Sequence, residues 1–123
     1  MKIAITSSGK ENTSPLNPRF GRCEYFIIID TDTKEWKAVN NPAIGARGGA
    51  GTQAAQFIAN QGAKAVISGR FGPNAFTTLE AAGLQAFVSV QETVDAALDK
   101  FLAGELEQIT AATGPQKHVG GSR

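Results

Sequence analysis

The sequence predicts an α/β protein built on one mixed β-sheet with helices on its faces. Three observations predict it. The chain opens on an alternating, β-branched segment, Lys2 to Thr6, and a Tyr/Phe/Ile-rich run and a Trp-bearing segment follow around a short polar turn. From Gly48 onward, amphipathic helical stretches alternate with short apolar runs. With 123 residues, 41% of them hydrophobic and 19% charged, the chain has material for one core and little reason to be disordered. We place a single domain at residues 1–109 and a flexible tail at 110–123.

Lys2 to Thr6 forms the first strand and Glu24 to Thr31 a buried second one. Thr31-Asp32-Thr33-Lys34 is a polar turn leading into Glu35 to Val39, so the second and third strands form a hairpin. Thr52 to Gln61 reads as a helix with Ala54, Phe57 and Ile58 on one face and Gly62 as its stop. Ala65 to Ser68 is a short strand. Gly72-Pro73 opens a second helix, with proline at its first position and Phe76, Leu79 and Ala82 facing inward. Gln85 to Val88 supplies a fifth strand. Ser89 and Glu92 have capping-box spacing, and Val94, Ala97, Leu98, Phe101 and Leu102 then mark a third helix. Because parallel crossovers are right-handed, this β-β-β-α-β-α-β-α order predicts three layers and a five-stranded sheet ordered 3-2-1-4-5, the ribonuclease-H-like topology. From Thr110 the apolar periodicity stops, and the only histidine, His118, falls in the tail.

A formal net charge of +1 excludes binding of nucleic acid or of a membrane surface through bulk electrostatics. The apolar runs are far shorter than the roughly 20 residues of a membrane span. With no signal-like segment at Met1, these features predict a cytoplasmic protein. A single cysteine, Cys23, excludes an internal disulfide and fits a reducing compartment.

Charge is unevenly distributed, however. No Asp or Glu occurs from Trp36 through Leu79, where Lys37, Arg47, Lys64 and Arg70 are present, and six of the eleven acids lie at or after Glu80. The loop from Asn12 to Cys23 likewise has no carboxylate and carries Arg19 and Arg22. Ligands of open α/β sheets bind outside the carboxyl ends of the parallel strands. Two glycine-rich turns are expected there, Gly48-Gly49-Ala50-Gly51-Thr52 and Gly69-Arg70-Phe71-Gly72-Pro73-Asn74. Each leads into a helix whose free N–H groups and dipole favour an anion. Turn closure alone also accounts for such glycines, and solvated surface charge for the arginines. The convergent reading puts Arg22, Arg47 and Arg70 around the two helix starts. Gly48, Gly49, Gly51 and Thr52 would then contribute from the first turn, and Gly72 and Asn74 from the second. Cys23, beside Arg22, is either a soft metal ligand or a small buried hydrophobe.

Met1-Lys2-Ile3-Ala4-Ile5, Phe20-Gly21-Arg22-Cys23-Glu24-Tyr25-Phe26, Asn41-Pro42, Gly48-Gly49-Ala50-Gly51 and Gly72-Pro73-Asn74-Ala75 occur in that order. Together they resemble the dinitrogenase iron–molybdenum cofactor biosynthesis family, over Met1 to about Leu106. That group includes NifX-like accessory factors and the carboxy-terminal domain of NifB-like proteins. The resemblance implies a ribonuclease-H-like fold and a non-catalytic carrier of an anionic iron–sulfur or iron–molybdenum–sulfur cluster. It also implies partners among cluster-assembly or acceptor proteins. This sequence departs from nitrogenase carriers in having no histidine before the tail.

Three other functions compete with this reading. A two-metal nuclease needs clustered carboxylates, yet the first strand has none and Asp30 and Asp32 lie beside a turn. A nucleotide-binding protein or small-molecule enzyme lacks its fingerprints here: there is no GxxxxGK[ST], no GxGxxG after a strand and no nucleophile–histidine set in the body. An interaction module would use an exposed edge strand such as that of Trp36.

Overall fold

A computed structural model describes residues 1–111. The first strand, β1 (Lys2–Ser7), pairs antiparallel with β2 (Tyr25–Asp30), which pairs antiparallel with β3 (Trp36–Asn40). The chain then forms α1 (Ala50–Asn60), β4 (Ala63–Ser68), α2 (Pro73–Ala81), β5 (Gln85–Val88) and α3 (Val94–Leu102). β4 lies parallel to β1, and β5 parallel to β4. A short segment, β6 (Glu107–Gln108), then adds to β5 antiparallel, so the order is β3-β2-β1-β4-β5-β6.

This corrects the expected five strands to six. Glu107 and Gln108 are exposed and polar, so no apolar alternation announces a strand. The segment is held by its pairing with Phe87 and Val88 and by Ile109, which is buried and donates its N–H to Ala86 O at 2.9 Å. Thr110 and Ala111 are exposed, and the rest of the expected tail, His118 included, lies outside the described residues.

The strand alternation builds two cores. Ala4, Phe26, Ile28 and Val66 face α1 and α2, where Ala54, Ala55, Ile58 and Leu79 meet them. Ile3, Ile5, Ile27, Ile29 and Ile67 face α3 through Val94 and Ala97. Both sides of β1 are therefore covered, as its burial from Ile3 to Ser7 requires. Gly62, at φ +89, closes α1. In α2 Ala75 and Leu79 are buried and Phe76 packs partly buried against the same core, whereas Ala82 is the exposed C-cap.

The expected capping box is also corrected. Ser89 Oγ does donate to Glu92, and Lys100 pairs with the same carboxylate at 3.0 Å, but the α3 N-cap is Thr93, whose hydroxyl accepts from Ala96 N. Backbone bonds from Leu16 N to Glu92 O and from Val94 N to Ser14 O hold residues 92–94 against the loop after β1. They keep this stretch extended, so the helix starts only after Thr93.

Candidate functional site

The carboxyl ends of β1 and β4 point at one edge, and the long loop between β1 and β2 folds back over it. Thr6 and Ser68 are buried there and bond to each other at 3.1 Å, and Thr6 Oγ1 also donates to Asn17 O at 2.5 Å. Pro18 packs so closely on Gly69 that a methyl group there would lie 2.7 Å from Pro18 Cα. The loop thus fills the crevice between the two parallel strands and carries Arg19 into a bridge beside Arg70. It continues as a single 3₁₀ turn, Phe20–Arg22, whose Phe20 is buried against Phe26 and Phe71 at ring distances of 5.7 and 5.3 Å.

Three segments then stack backbone to backbone. A methyl group on Gly21 would meet Gly51 N at 2.9 Å, and one on Gly51 would meet Ala75 Cβ at 2.8 Å. Only glycine allows the 3₁₀ turn, α1 and α2 to approach this closely. The approach brings two helix starts together, and neither has a side-chain cap or an acid in its first turn. Gly49, the α1 N-cap at φ +73, holds the left-handed conformation that lets the chain turn into the helix.

The result is an open cleft of about 330 Å³, lined by Arg19, Arg22 and Arg70, by Gly49 and Gly51 at the α1 start, and by Gly72 and Asn74 at the α2 start. None of the three guanidinium groups forms an ion pair with a described carboxylate. Arg19 and Arg70 are exposed, while Arg22 is half-buried, its Nη1 donating to Ala46 O at 2.7 Å and Ile44 O at 3.3 Å. Unpaired cations beside uncapped amide donors give this edge a locally positive field, of the sign that favours an anion. Among the described residues, no carboxylate, imidazole or thiol lines the cleft.

Most of the sequence-predicted residues meet here, and some do not. Arg47 and Gly48 are exposed outside the lining, and Thr52, in the first turn of α1, is also outside it. Cys23 is the larger correction. It is 0% exposed, and its Sγ lies 3.4 Å from Phe20 O. Burial pushes its pKa up to about 12, overriding the hydrogen bonds that favour the thiolate. Cys23 lies in the α1-side core, outside the lining of the cleft, where it packs as a small hydrophobe. Arg19, outside the set expected from the sequence, also lines the cleft. The signal for it was its spacing from Arg22, since residues three apart lie on the same side of a 3₁₀ turn.

Several known proteins are similar to this chain. An uncharacterized protein of Methanocaldococcus jannaschii is 33% identical over 112 residues, which span 89% of this chain and 92% of that one. The apo form of the orange protein from Desulfovibrio gigas superposes with a TM-score of 0.89 at 33% identity, over 92% of this chain and 96% of its own. A Thermotoga protein described as NifB-like and of the DUF35 family superposes with a TM-score of 0.82 at 37% identity, over 94% and 98%. The model of the dinitrogenase iron-molybdenum cofactor family matches residues 1–104, and this chain therefore belongs to that family.

Proposed function

We propose that this protein is a non-catalytic carrier that binds an anionic, sulfur-rich metal cluster in the cleft between Arg19, Arg22, Arg70 and the starts of α1 and α2. Three guanidinium groups without carboxylate partners around two uncapped helix starts carry the reading. Family membership and the likeness to the orange protein and to a NifB-like protein fit an accessory role in metal-cluster handling.

The chemistry of the donors narrows the cargo. Iron–sulfur clusters are ordinarily held by cysteine thiolates, and Cys23 is buried and protonated. Among the described residues the cleft offers guanidinium and amide N–H donors and no thiolate or carboxylate, a set that suits an anion bringing its own sulfide or oxide shell. A thiomolybdate unit or a sulfide-capped iron–molybdenum–sulfur cluster meets that condition. A bare cluster needing protein sulfur does not. Cys23 is accordingly left out of the binding set, and Thr52, Gly48 and Arg47 are at most peripheral. Cluster-assembly and acceptor proteins are the partners this role requires.

We also read the order of the first five strands as ribonuclease-H-like, without ribonuclease chemistry. Asp30 and Asp32 lie at the turn after β2, where Asp30 Oδ1 accepts from the backbone of Asp32 and Thr33, and Asp32 pairs with the Met1 amine at 2.9 Å. Neither faces the basic cleft, so the topology supplies no two-metal centre there.

Equilibrium dialysis of tetrathiomolybdate, and anaerobic retention of a synthetic iron–molybdenum–sulfur cluster after gel filtration, test the proposal. Changing Arg19, Arg22 and Arg70 together to Gln should weaken both and flatten their salt dependence. Unchanged binding by the folded triple variant would sink the electrostatic cradle. Equal affinity for orthophosphate would move the assignment to a small-oxyanion receptor.

A further inference from the structure

Beneath the cleft, one buried polar side chain joins two segments that sequence separates. Asn41 follows β3 and is 2% exposed. Its Nδ2 donates to Cys23 O at 2.9 Å and to Gly21 O at 3.2 Å, and its Oδ1 accepts from Ala43 N at 2.9 Å. The reverse amide orientation would set Oδ1 against two carbonyl oxygens, so the partners themselves dictate the assignment. The same residue bonds through its backbone, N to Glu24 O at 3.0 Å and O from Ile44 N at 3.3 Å.

The two segments meet a second time at the rim of the cleft. Arg22 lies between the two residues whose carbonyls Asn41 holds, and its Nη1 bonds reach Ala46 O and Ile44 O on the loop that Asn41 begins. Asn41 therefore fixes both the backbone root of Arg22 and the carbonyls that receive its guanidinium. With Nη1 occupied, Nε and Nη2 remain as the donors a ligand can use. Arg19 and Arg70 have no such support, since no described group bonds their guanidinium groups.

We infer that Asn41 is a positioning residue of the anion cleft and acts through Arg22, holding that guanidinium ordered at the rim before any ligand arrives. A donor ordered in advance loses less side-chain freedom on binding than Arg19 or Arg70 must. The effect on affinity rests on the anion-binding reading above, whereas the ordering of Arg22 does not.

Two measurements on the full chain separate these. In ligand-free protein, ¹⁵N relaxation of the arginine Nε–H groups should find Arg22 restricted and Arg19 and Arg70 mobile. Asn41→Ala, or Asn41→Asp, which keeps the acceptor for Ala43 and loses both donors, should release Arg22. Titration with tetrathiomolybdate should then show Asn41→Ala binding about tenfold more weakly, the scale of one hydrogen bond to a charged group. The loss should vanish in an Arg22→Gln background and persist in an Arg70→Gln background. An equal loss in both backgrounds would mean that Asn41 only supports the fold, and overturns the inference. So would an Arg22 as mobile as Arg19 in the wild type, which settles the matter even where the Asn41 variants do not fold. If the wild type binds no thiomolybdate, the cargo assignment fails while the relaxation result still decides the role of Asn41.

Discussion

Gly51→Ala is the sharpest test of how the two helix starts are brought together, because two physical effects at this site have opposite signs. Within a helix, alanine is favoured over glycine by up to about 1 kcal/mol, so propensity alone predicts stabilisation. The added methyl group, however, would sit 2.8 Å from Ala75 Cβ. Ala75 is buried in the first turn of α2 and has no rotamer with which to retreat, so α1 and α2 must separate by several tenths of an ångström. Overpacking of this kind costs about 1–3 kcal/mol. With about half of the propensity gain available near a helix end, we expect net destabilisation of about 1.5 kcal/mol, or roughly 6 °C in the thermal midpoint. Removing the opposing methyl should reverse it. The next atoms of residue 75, its Cα and N, lie 3.5 Å away, an ordinary contact. In Gly51→Ala/Ala75→Gly the clash is absent and the propensity changes nearly cancel, so stability should return to within about 0.5 kcal/mol of wild type. Urea unfolding followed by circular dichroism reads all four members of the cycle. A single variant more stable than wild type, or a double variant that adds the two single effects, would refute the close approach that builds the cleft.

Cys23 gives a signed pH dependence. Burial pushes its pKa up to about 12 from an ordinary 9.0, so the folded state holds the proton more tightly. Stability is full below pH 9 and should fall between pH 9 and 12 by roughly 1.4 kcal/mol per pH unit at most, a slope absent from Cys23→Ala in urea titrations. The same burial should protect the native thiol from iodoacetamide at pH 8, with labelling appearing only on unfolding, and Cys23→Ala should leave cluster retention unchanged. Burial of Glu92 opposes ionisation, but the Ser89 hydroxyl and Lys100 outweigh it and hold the carboxyl below its ordinary value. Its contribution is therefore present above about pH 4.5 and lost as the pH falls through the depressed pKa, and Glu92→Gln should blunt that part of the acid transition. Ile109→Ala should cost about 2–4 kcal/mol in denaturant unfolding if β6 is an integral edge of the sheet, and almost nothing if the segment merely lies on the surface.

The body of the fold was legible because its signals are local. Period-two alternation marked β1, a Tyr/Phe/Ile-rich run marked β2, Gly62 marked the end of α1, and Pro73 marked the start of α2. What escaped depends on partners distant in sequence. β6 has two polar residues, and it is a strand only because β5 offers an unpaired edge and Ile109 finds a place in the core. Ser89 and Glu92 do contact each other, yet the segment after β1 keeps residues 92–94 from joining the helix, so a correct contact implied the wrong cap. At the cleft, the glycine turns and the lack of acids between Trp36 and Leu79 foretold a basic edge. They did not reveal which arginines share it. Arg47 stands two residues before Gly49 yet faces solvent, whereas Arg19, far off in sequence, reaches Arg70 because the loop folds into the crevice over Gly69.

Cys23 and Asn41 together explain why the cleft keeps its only nearby sulfur out of reach. The thiol sits one residue past Arg22, yet it is buried and outside the lining of the cleft. Asn41 bonds the carbonyls on both sides of Arg22, of Gly21 and of Cys23, and Phe20 packs beneath the turn against Phe26 and Phe71. A coordinate bond from a thiolate would tie a cluster to the chain and slow its departure, whereas hydrogen bonds and ion pairs at an open rim can be exchanged singly for those of an acceptor. A carrier must release what it holds, and on the proposed reading a site built from backbone amides and guanidinium groups meets that need. Its affinity should then be set by ionic strength and by the ordering of Arg22, with the redox state of Cys23 having no influence.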